Sequence, residues 1–176
     1  GEEYIDILKM GMSSGWIDVY ENRGKTGGAY SWGAYGVHPY VLLNFQGKLN
    51  DVFTLAHEMG HALHTYYSHK HQPYINANYT IFVAEVASTC NEALLINHMI
   101  KNAKNNKEKL YLLNYFMEQF RGTVFRQTMF AEFEKITHEL AERGEPLHAE
   151  LLQKIYHELN EKYYGKDIII DELIDY

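Results

Sequence analysis

LNDVFTLAHEMGHALH, at residues 49–64, is an HExxH motif set in a largely apolar run. Two His four residues apart project from one face of an α-helix, so the imidazoles of His57 and His61 can reach one Zn²⁺. The intervening Glu58 points into the same cleft, where a carboxylate can act as a general base. The motif therefore predicts a zinc-dependent peptide hydrolase, although HExxH alone also arises by chance.

The residues around the motif predict a long, buried helix. Asn50 or Asp51 can accept hydrogen bonds from the N–H groups of its first turn, and positive charge at residues 69–71 suits its C-terminal end. Gly60 costs a helix about 1 kcal/mol relative to Ala, so we expect another backbone to pass close to it. The alternative is a core helix that merely contains histidines, but burying these polar groups without a metal or partners is costly.

A catalytic zinc site needs a third protein ligand, because it usually keeps three side chains and leaves the fourth position for water. Glu85 and Glu92 are the only charged residues in the apolar segment 80–95. Seven residues apart, they share one helix face. Glu85 is the predicted ligand, and Glu92 is predicted to orient a ligand His by accepting its other ring N–H. On the sequence alone, a solvated helix charge explains Glu92 equally well.

His64 is a competing ligand, since it lies on the same helix face as His57. A metzincin would have Gly at position 64 and His at position 67, whereas this chain has His64 and Tyr67. We therefore expect His64 to lie in the core or behind the ligands, not on the metal.

Four stretches together are more specific than HExxH. They are residues 57–64, FVAEVAST at 82–89 followed by Asn91 and Glu92, GKTGGAYS at 24–31, and HPYVLLNF at 38–45. The chain resembles the oligoendopeptidase F branch of the thimet oligopeptidase-like zinc peptidases in these stretches. The resemblance implies a zincin-like catalytic domain that acts on short peptides.

The resemblance also implies a role for each matching residue. It places one Zn²⁺ per chain on His57, His61 and Glu85, with Glu58 as the catalytic base that activates the zinc-bound water. This agrees with the assignment reached from the spacing of the motif. The implied enzyme is a zinc metalloendopeptidase.

Members of that family are several hundred residues long, with a helical N-terminal portion and a His/Tyr-rich segment beyond the region where this chain stops. Because that segment contacts the substrate and stabilises the oxyanion, we expect the chain to be a catalytic-domain fragment with weak or no activity of its own. Two alternatives stay open. One is a non-catalytic zinc-binding or scaffold domain, and the other is a metal-free helical interaction module.

Composition narrows the class of protein. A chain of 176 residues with 46% hydrophobic residues can bury its own core, which predicts one domain over 1–176. A net charge of −7 disfavours nucleic acid and anionic membranes as partners. No apolar run approaches the length of a membrane span. The single Cys90 indicates a reducing compartment, and we expect a cytoplasmic location.

Patterning predicts a mainly α protein with a small β-sheet (α+β), the HExxH helix lying beside a short edge strand. The predicted parts are short helices at 3–12 and 14–22, a loop and small sheet with strands at 28–31 and Tyr40–Phe45 (within 1–48), zinc-site helices (49–103), and a helical bundle (107–163) with helices at 107–143 and 146–163. An edge position for Tyr40–Phe45 would let it pair with a substrate backbone or merely cap the sheet.

Overall fold

The computed structural model describes residues 1–167 and 169–170, which divide into two compact units. The first comprises Gly1–Ala103 and the second begins at Lys104. The described residues are mostly helical with one small sheet, so the predicted α+β class is confirmed. A single domain over the whole of 1–176 stays a prediction.

The first unit is built around two long helices. Its elements are α1 (Glu2–Ser13), β1 (Ile17–Asp18), β2 (Tyr30–Trp32), β3 (Tyr40–Leu42), α2 (Leu49–His71), a 3₁₀ turn (Tyr74–Asn76) and α3 (Ile81–Lys101). Near the start of α2, Asp51 Oδ2 accepts hydrogen bonds from the main-chain N–H groups of Gln46 and Lys48, at 2.9 Å each. The helix ends after the basic turn at 69–71, as the sequence predicts.

The three strands form one sheet in the order β1-β3-β2. β1 runs parallel to β3, with Ile17 opposite Val41, and β2 runs antiparallel to it, with Ser31 opposite Val41. Two predictions are therefore wrong. Residues 14–22 contain a strand and no helix, and the strand predicted at Tyr40–Phe45 ends at Leu42 and lies in the middle of the sheet. β1 pairs with the side of β3 that would be unpaired if β3 were an edge strand.

The core of the first unit lies between α2 and the sheet. Its fully buried cluster consists of Trp16, Val41, Leu43, Met59 and Ala62. Burial removes each of these side chains from water, which stabilises the packing of the helix against the strands. Met59 lies between Glu58 and His61 within the HExxH motif, and Ala62 directly follows it. Because both pack into this core, the packing fixes the rotation of the helix about its axis.

The second unit is helical in the residues that the structure describes. It contains α4 (Asn106–Phe120), a π-helical turn (Arg121–Phe125), α5 (Arg126–Glu142) and α6 (Ala149–Tyr164), around a core of Met129, Leu140, Ile155 and Leu159. The helix predicted at 107–143 is thus interrupted only by the π turn. None of the helices described in either unit is both long and apolar enough to cross a bilayer.

Candidate metal centre

Two helices of the first unit bring three potential metal ligands together. His57 and His61 lie one turn apart on α2, and their Nε2 atoms are 3.1 Å from each other. Glu85 lies in the second turn of α3, and its Oε2 is 3.4 Å from Nε2 of His57 and 3.6 Å from Nε2 of His61. Among the described residues, this trio is the cluster whose donor atoms could hold one ion.

The spacing of the three atoms fits a zinc ion. Zinc binds imidazole nitrogen at about 2.0–2.1 Å, so two ligand atoms of a tetrahedral site lie about 3.3 Å apart. The three observed separations, from 3.1 to 3.6 Å, bracket that value. Two imidazoles and one carboxylate also form the donor set of catalytic zinc sites, with a fourth position left for a reactant. The residues present therefore fit the metal that the sequence predicts.

Glu58 is buried beside this cluster, with 7% of its surface exposed. Burial raises the pKa of its carboxyl, the nearby His57 lowers it, and the charges of Glu85 and Glu92 raise it again. A carboxylate with a raised pKa is a stronger proton acceptor near neutral pH than an exposed one. The environment of Glu58 thus suits a general base.

Glu92 lies two turns beyond Glu85 on α3 and faces His57 from the opposite side of the ring. Its Oε1 is 3.5 Å from Nδ1 of His57, while Nε2 of the same ring points at Glu85. The hydrogen bond to Glu92 raises the pKa of His57, burial lowers it, and the charge of Glu92 raises it further. An acceptor at Nδ1 keeps the proton on that nitrogen and leaves Nε2 free to bind a metal.

His64 does not join the cluster. Its ring stacks on that of Tyr79, with centroids 3.8 Å apart and an interplanar angle of 16°. Its Nδ1 is buried without a hydrogen-bond partner, and burial lowers the pKa of its imidazole. Burial likewise lowers the pKa of His61, and the neighbouring His57 adds to that effect. His64 therefore packs against Tyr79 and does not contribute to the cluster of donor atoms.

The two helices that carry the potential ligands touch backbone to backbone at Gly60. A Cβ added there would lie 2.7 Å from Cα of Ser88 and 2.8 Å from the main-chain oxygen of Ala87. The expected close approach of another backbone is thus found, and the backbone is that of α3. Only glycine allows α2 to come this near to the turn that carries Glu85.

Ser88 is fully buried at this crossing and is not among the site residues predicted from sequence. Its hydroxyl donates to Oε2 of Glu85 over 2.8 Å. The sequence shows only that Ser88 is a small polar residue one helical turn after the predicted ligand Glu85. The contact with Gly60 of α2, which buries Ser88, cannot be read from that spacing.

A groove of 530 Å³ opens beside the cluster of potential ligands. The edge strand β2, the end of α2 and the start of α3 line it, through Ser31, Trp32, His61, Thr65, Tyr79 and Glu85. β2 pairs with β3 along one side. Among the described strands nothing pairs with its other side, so the edge of the sheet nearest the ligands belongs to β2.

Comparison with known proteins gives consistent matches over the chain. The model of the family described as Peptidase family M3 matches residues 1–176. Oligopeptidase PepF of Bacillus subtilis is 58% identical over 174 residues, which are 99% of this chain and 26% of that protein. The chromosomal oligoendopeptidase F of Lactococcus lactis subsp. cremoris is 51% identical over 94% of this chain and 27% of its own length.

Solved structures agree with these matches. A Chlamydophila abortus protein superposes with a TM-score of 0.82 and 48% identity, over 99% of this chain and 30% of its own. Oligoendopeptidase-F from Enterococcus faecium superposes with a TM-score of 0.58 and 43% identity, over 72% and 22%. The chain spans about a quarter of the length of the curated relatives that it matches.

Proposed function

The chain belongs to peptidase family M3, and from that premise we propose that it carries the zinc site and the general base of an endopeptidase that cleaves short peptides. His57, His61 and Glu85 hold the metal, and Glu58 is the base. The observation that carries the proposal is the convergence of three ligand atoms from two helices beside a buried carboxylate. The relatives named oligopeptidase and oligoendopeptidase F support peptide hydrolysis as the reaction.

Each residue of the site has a defined task in this reaction. When bound, zinc supplies Lewis acidity, which polarises a peptide carbonyl and lowers the pKa of water toward about 7. Glu58 accepts a proton from the attacking water while the water oxygen forms a bond to the carbonyl carbon. The same carboxyl then gives that proton to the amine nitrogen as the C–N bond breaks. Glu92 holds Nδ1–H of His57, so that Nε2 keeps its lone pair for the metal.

The edge strand β2 is the proposed support for an extended substrate. An unpaired strand edge offers N–H and C=O groups to a peptide backbone without reading its side chains. Ser31 and Trp32 of β2 line the same groove as His61 and Glu85, so a paired peptide would pass the ligands. β-addition, one of the two roles left open for the strand at Tyr40–Phe45, is therefore proposed for β2 instead.

Metal content and peptide cleavage test the proposal together. After dialysis against zinc and removal of excess metal, the native chain should hold one zinc per chain, whereas Glu85→Ala should hold much less. Glu58→Gln should keep its zinc and lose cleavage of a quenched fluorescent peptide, by about 10²–10⁴-fold as for other general bases. Cleavage is measured in the longest form of the protein that contains this chain. Full activity in Glu58→Gln would refute the assignment of the base.

The alternatives make different predictions for the same two assays. A non-catalytic zinc-binding or scaffold domain would hold one zinc and cleave nothing even in the longer protein. A metal-free helical interaction module would hold no zinc at all. The cytoplasmic location and the preference for short peptides stay predictions.

A further inference from the structure

The hydroxyl of Ser88 lies against the carboxylate of Glu85, one helical turn away on α3. Ser88 Oγ is 2.8 Å from Oε2 of Glu85 and 3.1 Å from its main-chain oxygen, so the carboxylate is the nearer acceptor. Oε2 is also the oxygen that faces Nε2 of both His57 and His61. The hydroxyl thus donates to the same oxygen that the imidazoles face.

Ser88 and Glu85 differ sharply in burial. Ser88 is 0% exposed because the backbone of α2 at Gly60 lies directly on it. Water therefore cannot compete for its hydroxyl, and the side chain has little room to rotate. The Glu85 side chain is 50% exposed and, without a partner, would sample several rotamers that point into solvent. The buried hydroxyl of Ser88 therefore restricts the carboxylate of Glu85, which is otherwise free to move.

The charges around Glu85 explain why a neutral donor suits this position. Glu85 belongs to a group of carboxylates, because its charge and that of Glu92 both act on the buried Glu58. Among the described residues, the ion pairs of Glu85 are with His57 and His61, which must be neutral to bind a metal. A Lys or Arg in the place of Ser88 would stabilise the carboxylate but repel a bound cation. A buried hydroxyl stabilises the carboxylate without adding positive charge.

We infer that Ser88 is a positioning residue for the metal ligand, whose buried hydroxyl holds Oε2 of Glu85 toward the two imidazoles before the metal binds. This inference rests on the proposed function, since it requires Glu85 to bind the metal. Removal of residues that orient metal ligands typically weakens metal binding about 10–100-fold. The same loss is expected when the Ser88 hydroxyl is removed.

The test compares the zinc dissociation constants of the native full chain, Ser88→Ala and Thr89→Val, measured by competition with a chromogenic chelator. Thr89 is a matched control, because its hydroxyl also bonds to Glu85 but reaches only the main-chain oxygen, and its side chain is exposed. Ser88→Ala should bind zinc about 10–100-fold more weakly. Thr89→Val should bind zinc as the native chain does.

A double-mutant cycle separates positioning from a general effect on the fold. In a Glu85→Ala background, Ser88→Ala should cause no further loss of zinc affinity, because the carboxylate on which it acts is gone. A further loss in that background would overturn the inference. If Ser88→Ala does not fold by circular dichroism, Ser88→Cys keeps a similar size with a weaker donor. It should show a partial loss, and no loss would overturn the inference.

The two hypotheses fail in different ways. Native zinc affinity in Ser88→Ala would overturn the role of Ser88 and leave the proposed zinc site standing. A native chain that binds no zinc would overturn the proposed function and the inference with it.

Discussion

Replacing Gly60 with Ala tests the crossing of α2 and α3 directly. The new Cβ would lie 2.7 Å from Cα and 3.0 Å from the main-chain nitrogen of Ser88, and 2.8 Å from the main-chain oxygen of Ala87. All three are backbone atoms of α3, so no side chain can rotate out of the way. Because carbon atoms in contact sit about 3.5 Å apart or more, the two helices must separate by about 1 Å.

The cost follows from two opposing terms. Overpacking of this kind costs about 1–3 kcal/mol, and Ala returns up to about 1 kcal/mol because it favours the helix more than Gly does. Since the clashing atoms are backbone, the upper part of the overpacking range, about 2–3 kcal/mol, applies. Less the gain of about 1 kcal/mol from Ala, we expect a net loss of about 1–2 kcal/mol in the free energy of unfolding. With a urea sensitivity of about 2 kcal/mol per M, the unfolding midpoint falls by about 0.5–1 M. Zinc affinity should fall as well, since the crossing sets the distance from His57 and His61 to Glu85.

Urea unfolding of the metal-free protein, followed by far-UV circular dichroism, measures the first effect, and zinc titration measures the second. Gly122→Ala is the matched control, because it lies within a helical segment and its added Cβ would meet nothing within 4 Å. It should leave zinc affinity unchanged and stability unchanged or raised. If Gly60→Ala were as stable as the native chain and bound zinc equally well, the backbone contact would not be what positions the ligands.

Substitutions at Glu92, Met129 and Leu110 probe the site and the second unit. Glu92→Ala should weaken zinc binding about 10–100-fold. Glu92→Gln should weaken it less, since an amide oxygen can still accept a hydrogen bond from Nδ1–H of His57. If neither variant changed the zinc affinity measured by chelator competition, Glu92 would be only a solvated charge on the helix. Met129→Ala, in the core of the second unit, should cost about 2–5 kcal/mol in urea unfolding. Leu110→Ala, at a side chain that is 68% exposed, should cost less than about 0.5 kcal/mol, and equal losses would refute the assigned core.

The parts of the site that share one helix could be predicted from sequence. His57, Glu58 and His61 lie within one turn or so, and helix periodicity alone puts the two imidazoles on one face. The sheet could not be predicted in the same way. β1 has two residues, and it exists because Ile17 pairs with Val41 across more than twenty intervening positions. A local window at 14–22 contains no sign of that partner, so its residue pattern predicts a helix.

The role of Ser88 could not be predicted from sequence for the same reason. In an apolar helix, a lone Ser near a predicted ligand is consistent with packing, capping or nothing at all. Its importance comes from burial, and its burial comes from Gly60 on another helix. The sequence did predict that a backbone would pass close to Gly60. It could not identify which one, because that choice depends on how α2 and α3 pack.

Gly60 and Ser88 therefore link stability to ligand geometry at one contact. Metal ligands must be placed to within about 0.2 Å, and a crossing between backbones varies less than one between flexible side chains. The helix-breaking cost of Gly60 is offset because it lets the turn bearing Glu85 approach α2. Changes at this contact should alter unfolding and zinc affinity together, whereas a change at Thr89, exposed on the same turn of α3, should alter neither. A variant of Gly60 that lost stability but kept native zinc affinity would separate the two properties and contradict this account.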